Sequence, residues 1–95
     1  MADLANRTAI VTGAGRGVGL ATALRLAGAG VRVVVNDLDA TEADECVRLV
    51  EAAGGQALAC PGDVTAAEVP QRLVDAALEG FGGIDIVVNL SLIHI

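Results

Sequence analysis

Thr8 to Gly19 reads TAIVTGAGRGVG. A short apolar run, Ala9-Ile10-Val11, gives way at Thr12-Gly13 to further glycines at 15, 17 and 19, and beyond them an Ala/Leu-rich segment with helical spacing begins. A strand that ends in glycines just ahead of a helix is how an α/β sheet makes a phosphate site. Without a Cβ the backbone can approach a pyrophosphate closely, and the helix N-terminus supplies free N–H groups and a partial positive charge.

On either side of that turn, strand and helix signals alternate without a break. Thr8–Val11 is the first strand, and Arg16 to about Ala29 the first helix, with Val18, Leu20, Leu24 and Ala27 spaced to cover a sheet and Gly30 placed to end it. Val31–Asn36, VRVVVN, is a β-branched run with apolar residues on both faces, the mark of a strand buried on two sides. Asp39, three residues before Glu42, makes a capping-box-like start to a helix reaching about Ala53, with Cys46, Val47, Val50 and Ala53 inward. Gln56–Cys60 is a third short strand, and Thr65 with Glu68 forms another capping box. The third helix runs to about Gly80 with Leu73, Val74, Ala77, Leu78 and Phe81 inward; Pro70 implies either a distorted first turn or a start near Val69. Ile84–Asn89, IDIVVN, is the fourth strand.

The order βαβαβαβ, with right-handed crossovers, makes an α/β fold: a Rossmann-like, doubly wound parallel sheet, of which this is the N-terminal half with strand order 3-2-1-4. The first and fourth strands then flank the switch point where ligands bind. Neither a linker nor a repeat divides the chain.

Composition narrows the function. Twelve acidic residues against six arginines, a net charge of −6 and a pI near 4.4 argue against nucleic acid, which needs a basic surface. A mean hydropathy of +0.62 is high, yet the apolar residues 84–95 are few and interrupted by Asp85, Asn89 and His94, too little to span a membrane. The N-terminus MADLANRTAI has no apolar signal core, and Cys46 and Cys60 are spaced as free thiols rather than as a metal or redox pair. The expected location is the cytoplasm, with no metal site.

The generic fingerprint GxGxxG fails: from Gly13 it needs glycine at Val18, and from Gly15 at Leu20. TGxxxGxG fits, as Thr12-Gly13, Ala14-Gly15-Arg16 and Gly17-Val18-Gly19. Here the chain closely resembles the short-chain dehydrogenase/reductase family in its compact single-domain branch. The extended branch, with TGxxGxxG, would need glycine at Arg16. Further marks keep the register. Asp37 follows the second strand, Asp63-Val64 the third resembles the family's Asp-Val/Leu pair, and Asp85-Ile86-Val87-Val88-Asn89 resembles the start of DxxVNNAG. Each has a plainer reading when taken alone: a tight connection, a solvated turn residue, a loop residue ahead of a cap, the end of a strand. Their joint spacing is what is specific.

The resemblance implies a nicotinamide dinucleotide cofactor and a small alcohol or carbonyl substrate, in a parent protein that is a homo-oligomer. Gly13, Gly17 and Gly19 would set the pyrophosphate turn, with Arg16 and Val18 lining it. Asp37 would accept from the adenosine ribose hydroxyls and repel a 2′-phosphate, favouring NAD; Arg16, able to pair with that phosphate, keeps NADP open. Asp63 and Val64 would hold the adenine, and Asn89 would border the inner ribose. The alternative is a non-catalytic nucleotide-binding or regulatory Rossmann module.

The match stops after Asn89. The family pattern continues with Asn-Ala-Gly, whereas the chain reads Leu90-Ser91-Leu92-Ile93-His94-Ile95. The expected division is a Rossmann part over 1–89 and an atypical tail over 90–95, foreign to the protein, as from a sequencing adapter or frame-shifted read. The family's proton transfer relies on Tyr and Lys from later segments; this chain has neither, so the residues present are expected to be inactive and no catalytic residue is assigned. Ser91 and His94 lack an orienting acid. An apolar fourth strand at the sheet edge predicts poor solubility or loose packing.

Overall fold

A computed structural model of the chain describes residues 4–90. The elements are β1 (Thr8–Thr12), α1 (Gly17–Gly28), β2 (Arg32–Val35), α2 (Ala40–Ala52), β3 (Ala57–Ala59), α3 (Val69–Phe81) and β4 (Ile86–Asn89). All strand pairs are parallel and the order is β3-β2-β1-β4, as the alternation of elements implied. Ile10 stands level with Val34 on one side and Val87 on the other.

Period-2 alternation sorts the strand residues between two cores. Ala9, Val11, Val33 and Val35 pack with Ala23, Ala43, Cys46 and Val50 of α1 and α2. Ile10 and Val34 face the other way, onto Val69, Leu73 and Ala77 of α3. Val33, Val34 and Val35 are wholly buried, which is why β2 reads as an unbroken apolar run. Burying each such side chain stabilises the fold by about 1.5–3 kcal/mol.

Several expected inner positions differ. Val18 does not cover the sheet: it is 72% exposed, because the first turn of α1 lies beyond the C-terminal ends of the strands, and Gly19 and Ala23 are the buried positions instead. Ala53 is the exposed C-cap of α2, and Ala43 takes its place inside. Leu78 is half-exposed, while Val69 is buried. The cap at Asp39 forms, with its Oδ1 accepting from Thr41 N at 2.8 Å and Glu42 N at 3.3 Å.

The capping box at Thr65 and Glu68 does not form. Asp63 competes successfully: its Oδ1 accepts from Thr65 N at 2.9 Å and from Thr65 Oγ1 at 2.6 Å, so the Thr65 hydroxyl is spent on a local turn. Helix α3 therefore starts at Val69, and Pro70 sits in its first turn, where a missing N–H costs nothing. The six-residue tail expectation falls largely outside the described residues, as do Ser91 and His94.

Candidate functional site

Because all four strands are parallel, their C-terminal ends lie on one edge of the sheet, together with the N-terminus of α1. Between β1 and α1 the chain turns with Gly13 at φ +64° and Gly17 at φ +60°, values an L side chain seldom adopts. Gly19 is required by proximity instead. A Cβ there would lie 1.8 Å from the Gly13 carbonyl oxygen, so the turn folds back onto the helix it starts. Helix α1 has Arg16 as an extended, exposed N-cap without a side-chain cap bond, and no acidic residue in its first turn. Its leading N–H groups and dipole are thus uncompensated, the arrangement that receives an anion.

The neighbouring strand end is built on Asn36 and Asp37, both buried. Ala14 N donates to the Asn36 carbonyl at 2.8 Å, which pins the turn to β2. The Asn36 side-chain amide donates to the carbonyls of Cys60 at 3.0 Å and Gly62 at 3.1 Å, which pins the loop after β3 to the same point. Sequence reasoning missed Asn36 altogether; an amide closing a valine run was its only signal. Asp37 is not a solvated turn residue. It is 5% exposed, its Oδ2 accepts from Gly15 N at 2.9 Å and its Oδ1 from Asp39 N at 3.0 Å.

Asp63 and Val64 follow on the third loop. The Thr65 hydroxyl and then its backbone N–H hold the exposed Asp63 carboxyl below the usual carboxylate range. Both bonds fall on Oδ1, so Oδ2 has no partner among the described residues. At β4, Asn89 Oδ1 accepts from Thr12 Oγ1 at 2.9 Å, and that same hydroxyl accepts from Leu90 N at 3.0 Å. Thr12, the first letter of the turn motif, thereby joins the β1 and β4 ends. Leu38, 74% exposed beside Asp37, adds an apolar rim that sequence reasoning also missed. Gly13, Arg16, Gly17, Val18, Gly19, Asp37, Asp63, Val64 and Asn89 thus all stand on one edge, carried by the four strand ends and the start of α1. Among the described residues no cluster of His, Cys, Asp and Glu could hold a metal ion.

Against known proteins, a family model described as short chain dehydrogenase matches residues 7–91. The chain belongs to the short-chain dehydrogenase family. Glucose 1-dehydrogenase 2 of Bacillus subtilis is 43% identical over 90 residues, covering 94% of this chain and 35% of its own length. The 7alpha-hydroxysteroid dehydrogenase of Escherichia coli K12 is 42% identical over 86 residues, covering 90% and 34%. A crystal structure of hydroxysteroid dehydrogenase from Escherichia coli superposes with a TM-score of 0.88 at 42% identity, over 90% of this chain and 37% of that one. The chain spans about a third of the length of these relatives.

Short-chain dehydrogenases take a nicotinamide dinucleotide, NAD or NADP. The residues of this family member fit such a group. The glycine turn folds tightly back on the start of α1, where position 17 has open space around it, the helix start is uncapped, and the Asp37 carboxylate is bonded to the turn. No helix among the described residues is long and apolar enough to cross a membrane.

Proposed function

We infer that this chain is the cofactor-binding portion of an oxidoreductase that prefers NAD. The observation that carries the reading is the buried Asp37 carboxylate bonded to the glycine turn. A carboxylate has about four acceptor sites. Gly15 and Asp39 occupy two of them, which leaves acceptor capacity for the vicinal hydroxyls of an adenosine ribose. Its charge beside a 2′-phosphate would be strongly unfavourable in so dry a place. Arg16, exposed at the helix start, pulls the other way and would favour NADP.

In this reading Gly13, Gly17 and Gly19 hold the pyrophosphate against the start of α1, lined by Arg16 and Val18. Asp63 Oδ2 accepts from the adenine amino group, Val64 lies against the ring, and Asn89 borders the inner ribose. When bound, the nicotinamide supplies hydride exchange with an alcohol or carbonyl carbon of a small-molecule substrate. The chain's own contribution is binding and orientation; it contains no Tyr or Lys to move the proton, so these residues alone are inactive. Residues 1–89 are then part of the dinucleotide-binding domain, and 90–95 a tail foreign to it. Resequencing the source DNA across Asn89 tests that division, and an uninterrupted genuine frame through Ile95 refutes it. The cytoplasm is the inferred location, supported by two unpaired cysteines. A homo-oligomeric parent rests on the family resemblance alone.

Calorimetric titration decides the cofactor. NAD is expected to bind at least ten times more tightly than NADP, and Asp37→Ala to narrow that ratio to within about threefold. Tighter binding of NADP before any mutation would mean that Arg16 outweighs Asp37. The second reading is a nucleotide sensor without catalysis. A Ser followed by Tyr-x-x-x-Lys in the parent gene beyond Asn89 excludes the sensor.

A further inference from the structure

Gly15 occupies a variable position of TGxxxGxG, so the motif does not ask for glycine there. Its φ does not ask for it either, since Gly15 lies outside the left-handed region that Gly13 and Gly17 adopt. What excludes a side chain is space. A Cβ at position 15 would stand 2.5 Å from the Glu42 Cβ, 2.8 Å from Asp37 Oδ2 and 2.9 Å from Asp37 Cγ. Real Cβ atoms do not approach so closely, and two of those three atoms belong to the carboxylate of Asp37. The Gly15 N–H is also the buried donor to Asp37 Oδ2. Position 15 therefore acts on Asp37 twice, by donating to the carboxylate and by leaving it room.

We propose that Gly15 is a specificity-determining residue: it holds the Asp37 carboxylate where NAD is preferred, and any side chain at 15 lowers that preference. The inference rests on the reading of Asp37 as the ribose acceptor. Gly15 touches neither ribose nor phosphate in this account; it positions the group that does. With a methyl at 15 the carboxylate must rotate or retreat, its bond to Gly15 N breaks, and both the ribose contact and the placement of negative charge are lost.

The test is the ratio of NAD to NADP affinity, measured by calorimetry on the 95-residue chain and its variants. Gly15→Ala is the direct variant, and its overlap with Glu42 could prevent folding. The pair Glu42→Gly and Gly15→Ala/Glu42→Gly removes the Cβ overlap at 2.5 Å while keeping the intrusion on Asp37. Circular dichroism melts identify which variants fold. Relative to Glu42→Gly alone, the double variant is expected to lose threefold or more in the ratio, up to the loss that Asp37→Ala itself produces. A ratio within twofold of the Glu42→Gly value, while Asp37→Ala still shifts it, overturns the role of Gly15 and leaves the ribose reading standing. No shift with Asp37→Ala overturns the ribose reading and the inference with it, as does failure of the unsubstituted chain to bind either nucleotide.

Discussion

Asn36 carries a disproportionate share of the site. One buried amide spans the ends of β2 and β3, and its own carbonyl receives Ala14 of the glycine turn. Replacing it with alanine leaves the Cys60 and Gly62 carbonyls without that donor. An unsatisfied buried polar group costs about 1–3 kcal/mol. Asn36→Ala should therefore lower stability by about 2 kcal/mol in urea melts, and should weaken binding of NAD and NADP alike, because it loosens the Asp63 loop without removing either donor to the Asp37 carboxylate. An unchanged urea midpoint would show that water replaces the amide. The contrast with Asp37 and Gly15, whose variants change the ratio of the two affinities, separates scaffold from selector at single-residue resolution.

Between elements, the seam of β1 and β4 depends on an acid. Asp85 Oδ2 accepts from Thr8 N at 2.9 Å, and Arg7 bonds its other oxygen at 3.4 Å. The Thr8 backbone N–H, more than Arg7, holds this carboxyl below its ordinary range. A depressed carboxylate pKa gives stability that is present above the unfolded value of about 3.9 and lost as pH falls through the lower folded value. The stability gap between the unsubstituted chain and Asp85→Asn should accordingly be constant near neutrality and shrink as pH drops below about 4. Urea midpoints at a series of pH values measure it; a gap that persists into stronger acid contradicts the seam. Much of this level was legible from the residues. The valine run of β2, the Asp39 cap and the strand order follow from periodicity and chirality, which are local or topological. What escaped was decided by competition or by the finite size of the sheet. Thr65 with Glu68 matched a capping box as well as Asp39 with Glu42 did, yet the closer Asp63 claimed the Thr65 hydroxyl. Helical period marks a face of α1 but not which turn overhangs the strands, so Val18 looked buried while Gly19, with no side chain to signal it, is the buried residue of that turn.

At the scale of the whole molecule the two faces are unequal. Helices α1 and α2 cover one side of the sheet, whereas α3 alone covers the other and leaves a groove of about 260 Å³ along Ile10, Leu73, Val74 and Val87. Val87 is 63% exposed on β4, which pairs with β1 and is the last strand on that side among the described residues. An additional parallel strand outside β4, joined by a right-handed crossover, would carry its helix onto the α3 face and over this groove. Without such cover, an apolar edge strand promotes association. Light scattering should show oligomers of the 95-residue chain at micromolar concentration, reduced by Val87→Lys; a monomeric sample with a sharp cooperative melt would contradict this. The net charge of −6 opposes, but does not remove, that tendency.

The clamp on Asp37 also bears on how cofactor preference can be changed by directed evolution. Both donors to the carboxylate belong to the main chain, at Gly15 and Asp39, so no substitution other than proline deletes them. A substitution at position 37 that brings no acceptor orphans two N–H groups at once. Clones that gain NADP affinity would then emerge with a stability deficit of about 1–3 kcal/mol for each group left buried and unpaired. Variation at 15 and 37 together lets an incoming hydroxyl or amide take over those donors, and the two positions belong in one codon-randomised pair.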